Sequence, residues 1–232
     1  MKVIAIINTI NNIEQRGKVS FEELLQMEAW SFHEESEIRS RVAEILVLAA
    51  PSIIAQRILL RLCEDDNELV RVNACDSLSC YSSKTVIETL INVFSNIQES
   101  ELVRWYSLMS IIDIVEEDYA LVGNTELLCK SAMLESSVRI RGAGYMGLYI
   151  LGDKSKLTPL VSLLSSNRYE DRCAIVCMLE NIVDNSNKSM ILNTVKKQLE
   201  REPTGAMRSK LSRLISFIEQ SEKTRHAGDG SE

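Results

Sequence analysis

A pair made of an apolar residue and an arginine recurs along this sequence at a nearly constant interval. Four pairs show it most plainly: Ile38-Arg39, Val70-Arg71, Val103-Arg104 and Val138-Arg139. Their arginines are 32, 33 and 35 residues apart. A fifth copy begins at Tyr169, with the arginine displaced to Arg172, and a sixth begins at Met207-Arg208. A repeat of this period is typical of chains in which one small structural unit is copied and stacked.

Each pair opens a stretch with helical periodicity. Apolar or small residues follow the first hydrophobe by four and usually by eight positions, as in Ile38, Val42 and Leu46. This spacing places a single buried stripe on a helix. A second helical stretch precedes the next pair, after polar connectors such as residues 64–67. Because neither helix can bury its apolar face alone, we predict that helix pairs stack into a superhelix.

The two ends of the chain differ from the repeats. Ser20 and Glu23 form the Ser-x-x-Glu pattern of a capping box, which predicts a helix start near Phe21. We assign residues 1–35 to N-terminal capping helices and residues 36–221 to the repeats. Residues 222–232 are polar and contain glycine, so we predict a disordered tail there.

One stretch resembles a known repeat family. Residues 62–74, LCEDDNELVRVNA, resemble the HEAT-like repeat of the phycobilisome-lyase type, and residues 151–164 resemble the first helix of another such unit. The resemblance spans roughly residues 36–220. It implies an all-α fold, a right-handed α-solenoid of about six HEAT-like helix pairs. It says little about activity, since the family includes scaffolds, adaptors, lyase subunits and DNA-repair proteins.

The recurring arginines have a structural interpretation. In HEAT-like proteins such an arginine usually pairs with an acid of the preceding turn and with carbonyls of the neighbouring unit. Asp65 or Asp66 would then serve Arg71, and Glu101 would serve Arg104. By the same reasoning Glu135 would serve Arg139. A partly buried charge requires such partners, and this favours a structural ladder over a ligand-binding row.

No motif in the sequence predicts catalysis or a bound cofactor. Residues 142–147 match GxGxxG literally, but they lie inside a repeat helix, where glycines allow close helix packing, and not at the end of a strand. Two cysteines, Cys173 and Cys177, are too few for a zinc site. His33-Glu34 is one His-Glu pair, whereas the iron site of a helical-repeat hydroxylase needs several such pairs. We therefore predict that the chain is not an enzyme and binds neither cofactor nor metal.

The charge is divided unevenly along the chain. Residues 1–116 carry 10 Lys and Arg against 18 Asp and Glu, whereas residues 117–232 carry 16 against 15. The first half therefore predicts an acidic surface that attracts a basic partner. The six cysteines lie in apolar stretches, which indicates free thiols in a cytoplasmic protein. No stretch approaches the roughly 20 apolar residues that span a bilayer.

The predicted binding surface lies on the second helix of each pair, which lines the concave side of such superhelices. Positions two and six after each signature hydrophobe are expected to point away from the core. The first set is Ser40, Val72, Trp105 and Ile140, the second set is Glu44, Asp76, Met109 and Gly144, and a further turn adds Asp113. We predict partner binding by Glu44, Asp76, Trp105, Met109, Asp113 and Ile140. The pattern leaves open whether Trp105 is exposed or buried between units.

These observations favour a scaffold or adaptor that binds another protein, basic or amphipathic in character, on its acidic first half. Three alternatives stay open: an immunity or inhibitor protein that neutralises a basic toxin, a nucleic-acid-binding or DNA-repair protein, and a bilin-lyase-like subunit. The acidic first half disfavours nucleic acid, although the second half holds Arg141, Arg168, Arg172, Lys210 and Arg213. No membrane is expected as a partner.

Overall fold

A computed structural model describes residues 3–117 and 124–226, and every regular element in these ranges is a helix. The α-helices are α1 (Val3–Arg16), α2 (Phe21–Trp30), α3 (Ser36–Ile45), α4 (Ile53–Leu62), α5 (Glu68–Ser77), α6 (Lys84–Ser95), α7 (Glu101–Glu117), α8 (Thr125–Ala132), α9 (Val138–Ile150), α10 (Leu157–Ser162), α11 (Tyr169–Ile182), α12 (Lys188–Arg201) and α13 (Gly205–His226). Short 3-10 turns occupy Leu46–Ala49, Leu78–Cys80, Lys154–Lys156 and Leu163–Ser165. The predicted all-α fold is confirmed.

The chain divides after Thr125 into two compact units. In the first unit, α1, α3, α5 and α7 pack side by side as one layer. The helices α2, α4 and α6 form a second layer, and each packs against the helix that follows it in the chain. Successive helix pairs therefore stack in parallel fashion within this unit, as the repeat predicts.

The second unit repeats the arrangement. Here α9, α11 and α13 lie side by side, and α10 and α12 pack against their neighbours in the chain. Helix α13 continues to His226, which is past the predicted start of the tail at Glu222. Residues 227–232, where the rest of the predicted tail lies, are outside the described residues.

Polar caps fix where the helices begin. Ser20 and Glu23 form the predicted capping box, since the Ser20 hydroxyl accepts from the Glu23 N–H and the Glu23 carboxylate accepts from the Ser20 N–H. Asn67 caps α5 by accepting from the N–H groups of Leu69 and Val70. These side chains satisfy amide groups that otherwise have no partner in the first turn of a helix.

An arginine in the first or second turn of α3, α5, α7, α9, α11 and α13 forms what we call the arginine ladder: Arg39, Arg71, Arg104, Arg141, Arg172 and Arg208. In five of them, Nη1 donates to backbone carbonyls five to nine residues earlier, most of which lie in the turn that leads into the helix: Arg39, Arg71, Arg141, Arg172 and Arg208. Arg104 uses Nε in a similar way, on the carbonyl of Phe94. Each guanidinium thus satisfies carbonyls at a turn.

In Arg39, Arg71 and Arg172 the other side of the guanidinium reaches the turn of the following repeat. Arg39 donates from Nε to Asp65 at 2.7 Å, and Arg71 binds both oxygens of Glu99 at 2.9 Å. In the second unit, Arg172 binds both oxygens of the fully buried Glu202. For Arg71 the expected pairing with Asp65 or Asp66 was therefore wrong in direction: the acid comes from the next repeat, and the carbonyls come from the arginine's own turn.

The register expected in α9 was also wrong by two residues. Ser137 caps α9, so Ile140-Arg141 occupies the position of Val70-Arg71 after Asn67, and Val138-Arg139 does not. Arg139 instead lies 3.6 Å from the buried carboxylate of Asp171 on α11. The run Val138-Arg139-Ile140-Arg141 contains two matches to the same pattern, and only the helix start distinguishes them.

The glycines of the GxGxxG match serve close packing, as predicted. A Cβ atom on Gly144 would lie 2.7 Å from the backbone carbonyl oxygen of Cys129 on α8. One on Gly142 would lie 2.6 Å from the tip of the Ile175 side chain on α11. The six cysteines carry free thiols, and the buried pair Cys63 and Cys75 approaches to 3.9 Å between sulfur atoms.

Burial by itself raises the pKa of Glu202, but hydrogen bonds from Arg172, Gln198 and the Thr204 N–H lower it below its ordinary value. The pKa of Glu99 is also lowered. Burial raises it, but hydrogen bonds from Arg71 and from the Ser100 N–H lower it by more. A lowered pKa in the folded state adds stability above the unfolded pKa of about 4.3. That stability is lost as the pH falls through the folded pKa.

We expect Glu202→Gln to lower the free energy of unfolding by about 3 kcal/mol at pH 7, because it leaves the Arg172 guanidinium buried without its counter-charge. The matched control is Glu88→Gln, which removes an exposed pair with Lys84 and is expected to cost at most about 0.5 kcal/mol. Urea denaturation measures both. Below pH 4 the difference between Glu202→Gln and the native chain should shrink; a constant difference would contradict the ladder's role.

We expect Gly144→Ala to destabilise the protein by about 1–3 kcal/mol, although alanine favours helix, because the new methyl group meets backbone that cannot move aside. Gly205→Ala is the control, since a Cβ there has no neighbour within 4 Å. It should be neutral or slightly stabilising. Thermal unfolding of the two variants measures the difference, and equal melting temperatures would refute the packing role of Gly144.

Candidate functional site

The predicted binding residues of the first unit lie on the layer formed by α1, α3, α5 and α7. Glu44, Asp76 and Met109 occupy equivalent positions, five residues after the ladder arginines Arg39, Arg71 and Arg104. Since α3, α5 and α7 are neighbours, these three side chains form a row across the layer. Glu44 and Asp76 are exposed and Met109 is half-buried.

A cavity of about 200 Å³ opens between α3 and α5 at this row. Its lining residues are mostly of polar type: Glu44, Asn73, Asp76, Ser77 and Ser79, with Val47 as the apolar member. The Asn73 amide donates to Ser40 Oγ at 2.9 Å and so joins α5 to α3 beside the cavity. The Ser77 hydroxyl donates to the Glu44 carbonyl at 3.4 Å. These bonds hold the two carboxylate-bearing helices at a fixed separation.

The charge at the cavity is negative. Arg41 bridges Glu14 on α1 and Glu44 on α3, and it also donates to Asn11. Within residues 3–117 and 124–226, Asp76 has no partner in an ion pair. Although much of its side chain is exposed, the walls of the cavity partly desolvate its carboxylate, and this burial together with the charge of Glu44 raises its pKa above the ordinary value. The site therefore holds an uncompensated carboxylate in an environment that penalises its charge.

Helix α7, which packs against α5, carries a pair of aromatic side chains. Trp105 and Tyr106 are both half-buried, with ring centroids 4.7 Å apart in an edge-to-face arrangement. The indole N–H of Trp105 is buried without a hydrogen-bond partner. Asp113 is half-buried further along the same helix. The sequence left open whether Trp105 is exposed or buried between units. In the structure its side chain is half-buried, which lies between these two alternatives.

The expectation for positions two after each signature hydrophobe was wrong. Ser40, Val72 and Ile140 are buried, with Ile140 only 1% exposed, so Ile140 offers no binding surface. Gly144, at a position six after Val138, is buried too. A residue two positions along a helix turns by about 200° and here meets the neighbouring helix of its own layer, not solvent. In the first unit, the positions two after the ladder arginines are the less buried ones instead: Arg41, Asn73 and Tyr106.

Several residues of the site were missed from the sequence. Arg41, Asn73 and Tyr106 occupy the position two residues after a ladder arginine, and all three are half-buried beside the row. The repeat shows that these three residues occupy the same position. Because one is basic, one is an amide and one is aromatic, the sequence pattern did not indicate a shared role. Val47, Ser77 and Ser79 lie in or beside the 3-10 turns that end α3 and α5, and the helical periodicity did not extend to them.

The basic residues of the second unit do not form one patch. Arg141 and Arg172 belong to the arginine ladder. Arg168 lies 3.9 Å from Glu170, and Arg213 lies 3.7 Å from Glu180. Lys210 donates to Cys177 Sγ at 2.8 Å. Because most of these cations already have protein partners, they lack the free, aligned charge that phosphate binding requires.

Among the residues that the structure describes, no group of three or more His, Cys, Asp or Glu is arranged to hold a metal ion. Within the same ranges, no helix has the length and apolar character needed to cross a membrane.

With this geometry in hand, known structures can be compared. The chain is similar to the complex of CpcE and CpcF of phycocyanin lyase from Nostoc sp. PCC7120, with a TM-score of 0.58 and 16% identity over 89% of this chain and 86% of that one. It is also similar to YibA of E. coli, with a TM-score of 0.55 and 17% identity over 89% and 74%. The fold is that of the HEAT-like repeat proteins. No family model and no curated protein sequence matches the chain.

The comparison corrects one prediction. From the lack of catalytic motifs we expected that the chain is not an enzyme. One of the similar structures is the complex of CpcE and CpcF of phycocyanin lyase, so proteins with this fold take part in an enzyme. The exclusion of enzyme activity was therefore wrong. At 16% identity the likeness establishes the fold and no particular reaction.

We expect Asp76→Asn to stabilise the free protein at pH 7 by about 1–3 °C in melting temperature. A raised carboxyl pKa in the folded state means that the folded chain binds more protons, so the native stability falls as the pH rises through that pKa. The gain should vanish below pH 4, where Asp76 is protonated. Calorimetry measures it, with Glu22→Gln, exposed on α2, as the control. If the variant were less stable than the native chain at pH 7, the charged Asp76 carboxylate would not be destabilising.

Proposed function

We propose that the chain is a protein-binding module, and that its first unit receives a cationic or amphipathic segment of another protein on the face of α3, α5 and α7. The observation that carries this proposal is the cavity between α3 and α5, where the unpaired carboxylate of Asp76 stands beside Glu44. A lysine or arginine side chain there would relieve the repulsion between the two acids.

The neighbouring surface supports the same partner. Met109 and the Trp105–Tyr106 pair lie on the adjacent helix and supply adaptable and aromatic contact area. The predicted residues Glu44, Asp76, Trp105, Met109 and Asp113 therefore stay in the proposal, and Ile140 leaves it.

The net charge of the first half supports it at longer range. Residues 1–116 hold eight more acidic than basic residues (18 Asp and Glu against 10 Lys and Arg), which raises the local concentration of a basic partner. An inhibitor or immunity protein for a basic toxin would use the same surface. Such an inhibitor differs from a scaffold or adaptor only in the identity of its partner, and all of these are protein-binding functions.

The similarity to the CpcE–CpcF complex favours one second candidate, a bilin-lyase-like subunit. In that case the chain would work together with a second, lyase-type protein. Titration of the purified chain with a free bilin separates the candidates, because a bilin held in a protein changes its absorption spectrum. An unchanged spectrum would leave protein binding as the better supported function.

The test of the main proposal is affinity capture with the native chain and with a Glu44→Lys/Asp76→Lys variant. Both side chains are exposed, so the fold should survive, and circular dichroism checks this. We expect basic proteins to bind the native chain and to weaken at high salt, since the contact is electrostatic. The affinity of the double variant for these proteins should be lower by about a hundredfold.

The control is Glu22→Lys, which changes the charge by the same sign on α2, in the other layer of the unit. It should bind nearly as the native chain does. Captured partners without a basic segment, or equal binding by the double variant and the native chain, would refute the proposed face.

A further inference from the structure

The turns that lead into α3, α5 and α7 form one edge of the first unit, which we call the turn edge: residues 31–37, 63–69 and 96–102. The arginine ladder fixes these turns side by side. Arg39 joins the carbonyls of the first turn to Asp65 of the second, and Arg71 joins the carbonyls of the second to Glu99 of the third. The turn edge is therefore a rigid surface and not a set of independent loops.

The turn edge is intensely acidic. Its three segments carry nine Asp and Glu and no Lys or Arg, which is half of the 18 acidic residues in residues 1–116. The ladder neutralises Asp65, Asp66 and Glu99. The side chains of five others are exposed and make no salt bridge among the described residues: Glu34, Glu35, Glu37, Glu64 and Glu68. The acidic character of the first half is thus concentrated at this edge.

Large apolar side chains are exposed among these acids. Phe32 is 67% exposed, Leu69 is 57% exposed and Ile97 is 77% exposed. Phe32 and Ile97 both lie seven residues before a ladder arginine, so they occupy equivalent places in the first and third turns. The Arg61 guanidinium lies 3.7 Å over one face of the Phe32 ring and donates to the Ser31 carbonyl. Phe32 is therefore held in position with its other face free.

The spacing and the charge define what fits this edge. Neighbouring helices of a layer lie about 8–10 Å apart, so Phe32 and Ile97, two repeats apart, are separated by about 20 Å. A helix rises about 1.5 Å per residue, and about 13 residues span that distance. A second copy of this chain would bring the same acids into contact and is repelled. A partner must instead present cations beside its apolar side chains.

We propose that the turn edge is a docking surface for a basic amphipathic α-helix of another protein. Its apolar stripe covers Phe32, Leu69 and Ile97, and its lysines or arginines meet the unpaired glutamates. This goes beyond the proposed function, because the edge is separate from the cavity. Asp76 lies eight residues after Glu68 on α5, which places it about 12 Å away along the helix axis.

The experiment uses the full chain and a fluorescein-labelled helical peptide of about 14 residues, with leucines on one face and lysines on the other. Fluorescence anisotropy measures its affinity. We expect Phe32→Ser/Ile97→Ser to weaken binding by about tenfold or more. Glu34→Gln/Glu64→Gln/Glu68→Gln should weaken binding at low salt and flatten its salt dependence. A peptide of equal composition with a scrambled order should bind less tightly than the amphipathic one.

Two controls make the outcome specific. Ile53→Ser removes an equally exposed side chain from the first residue of α4, the end remote from the turn edge, and should change affinity by less than about twofold. Glu88→Gln, which changes an exposed acid on α6 outside the turn edge, should do the same. Asp76→Asn reports on the cavity, and it should weaken binding less than Phe32→Ser/Ile97→Ser does. Equal weakening by Ile53→Ser and by Phe32→Ser/Ile97→Ser, a larger effect of Asp76→Asn, or no preference for the amphipathic peptide would overturn the proposal.

Discussion

The arginine ladder is the interaction on which the rest of the structure depends. A stack of helix pairs exposes a series of turns, and each turn has carbonyl groups that no helix satisfies. One guanidinium has enough donors to serve the carbonyls of its own turn and a carboxylate of the next. Asp65 shows the consequence, because its carboxylate accepts from Arg39 and its carbonyl accepts from Arg71. Consecutive repeats are thereby fixed in register, not only packed together.

Much of the fold was predictable because its determinants are local. The repeat period, the polar caps and the apolar stripes lie within a few residues of each other, so they are visible in the sequence. The capping box at Ser20 and the glycines at residues 142 and 144 could be interpreted without knowledge of the stacking. The direction of the ladder could not, because acids precede and follow the arginines alike, and only the stacking decides which one is near.

The candidate site was predicted less well, and the reason is geometric. Periodicity identifies the core face of a helix, but the opposite side is divided between solvent and the neighbouring helices of the same layer. Glu44 and Asp76 lie on the part that faces solvent, whereas Val72 and Ile140 lie on the part that meets a neighbour. In α9 the doubled pattern added an error of two residues. A single sequence contains no signal that separates these two kinds of non-core position.

The ladder also explains why the acidic charge collects where it does. Each repeat needs one carboxylate at its turn for the arginine of the repeat before it, and Asp65 and Glu99 meet that need. Glu34, Glu35, Glu37, Glu64 and Glu68 exceed it, and like charges at one edge repel each other at a cost to stability. The same holds for Asp76 beside Glu44, where the repulsion raises the pKa of Asp76. Charges that the fold does not need, placed beside exposed aromatic and aliphatic side chains, are those that a bound cation would stabilise, and this is why both proposed surfaces lie in the first unit.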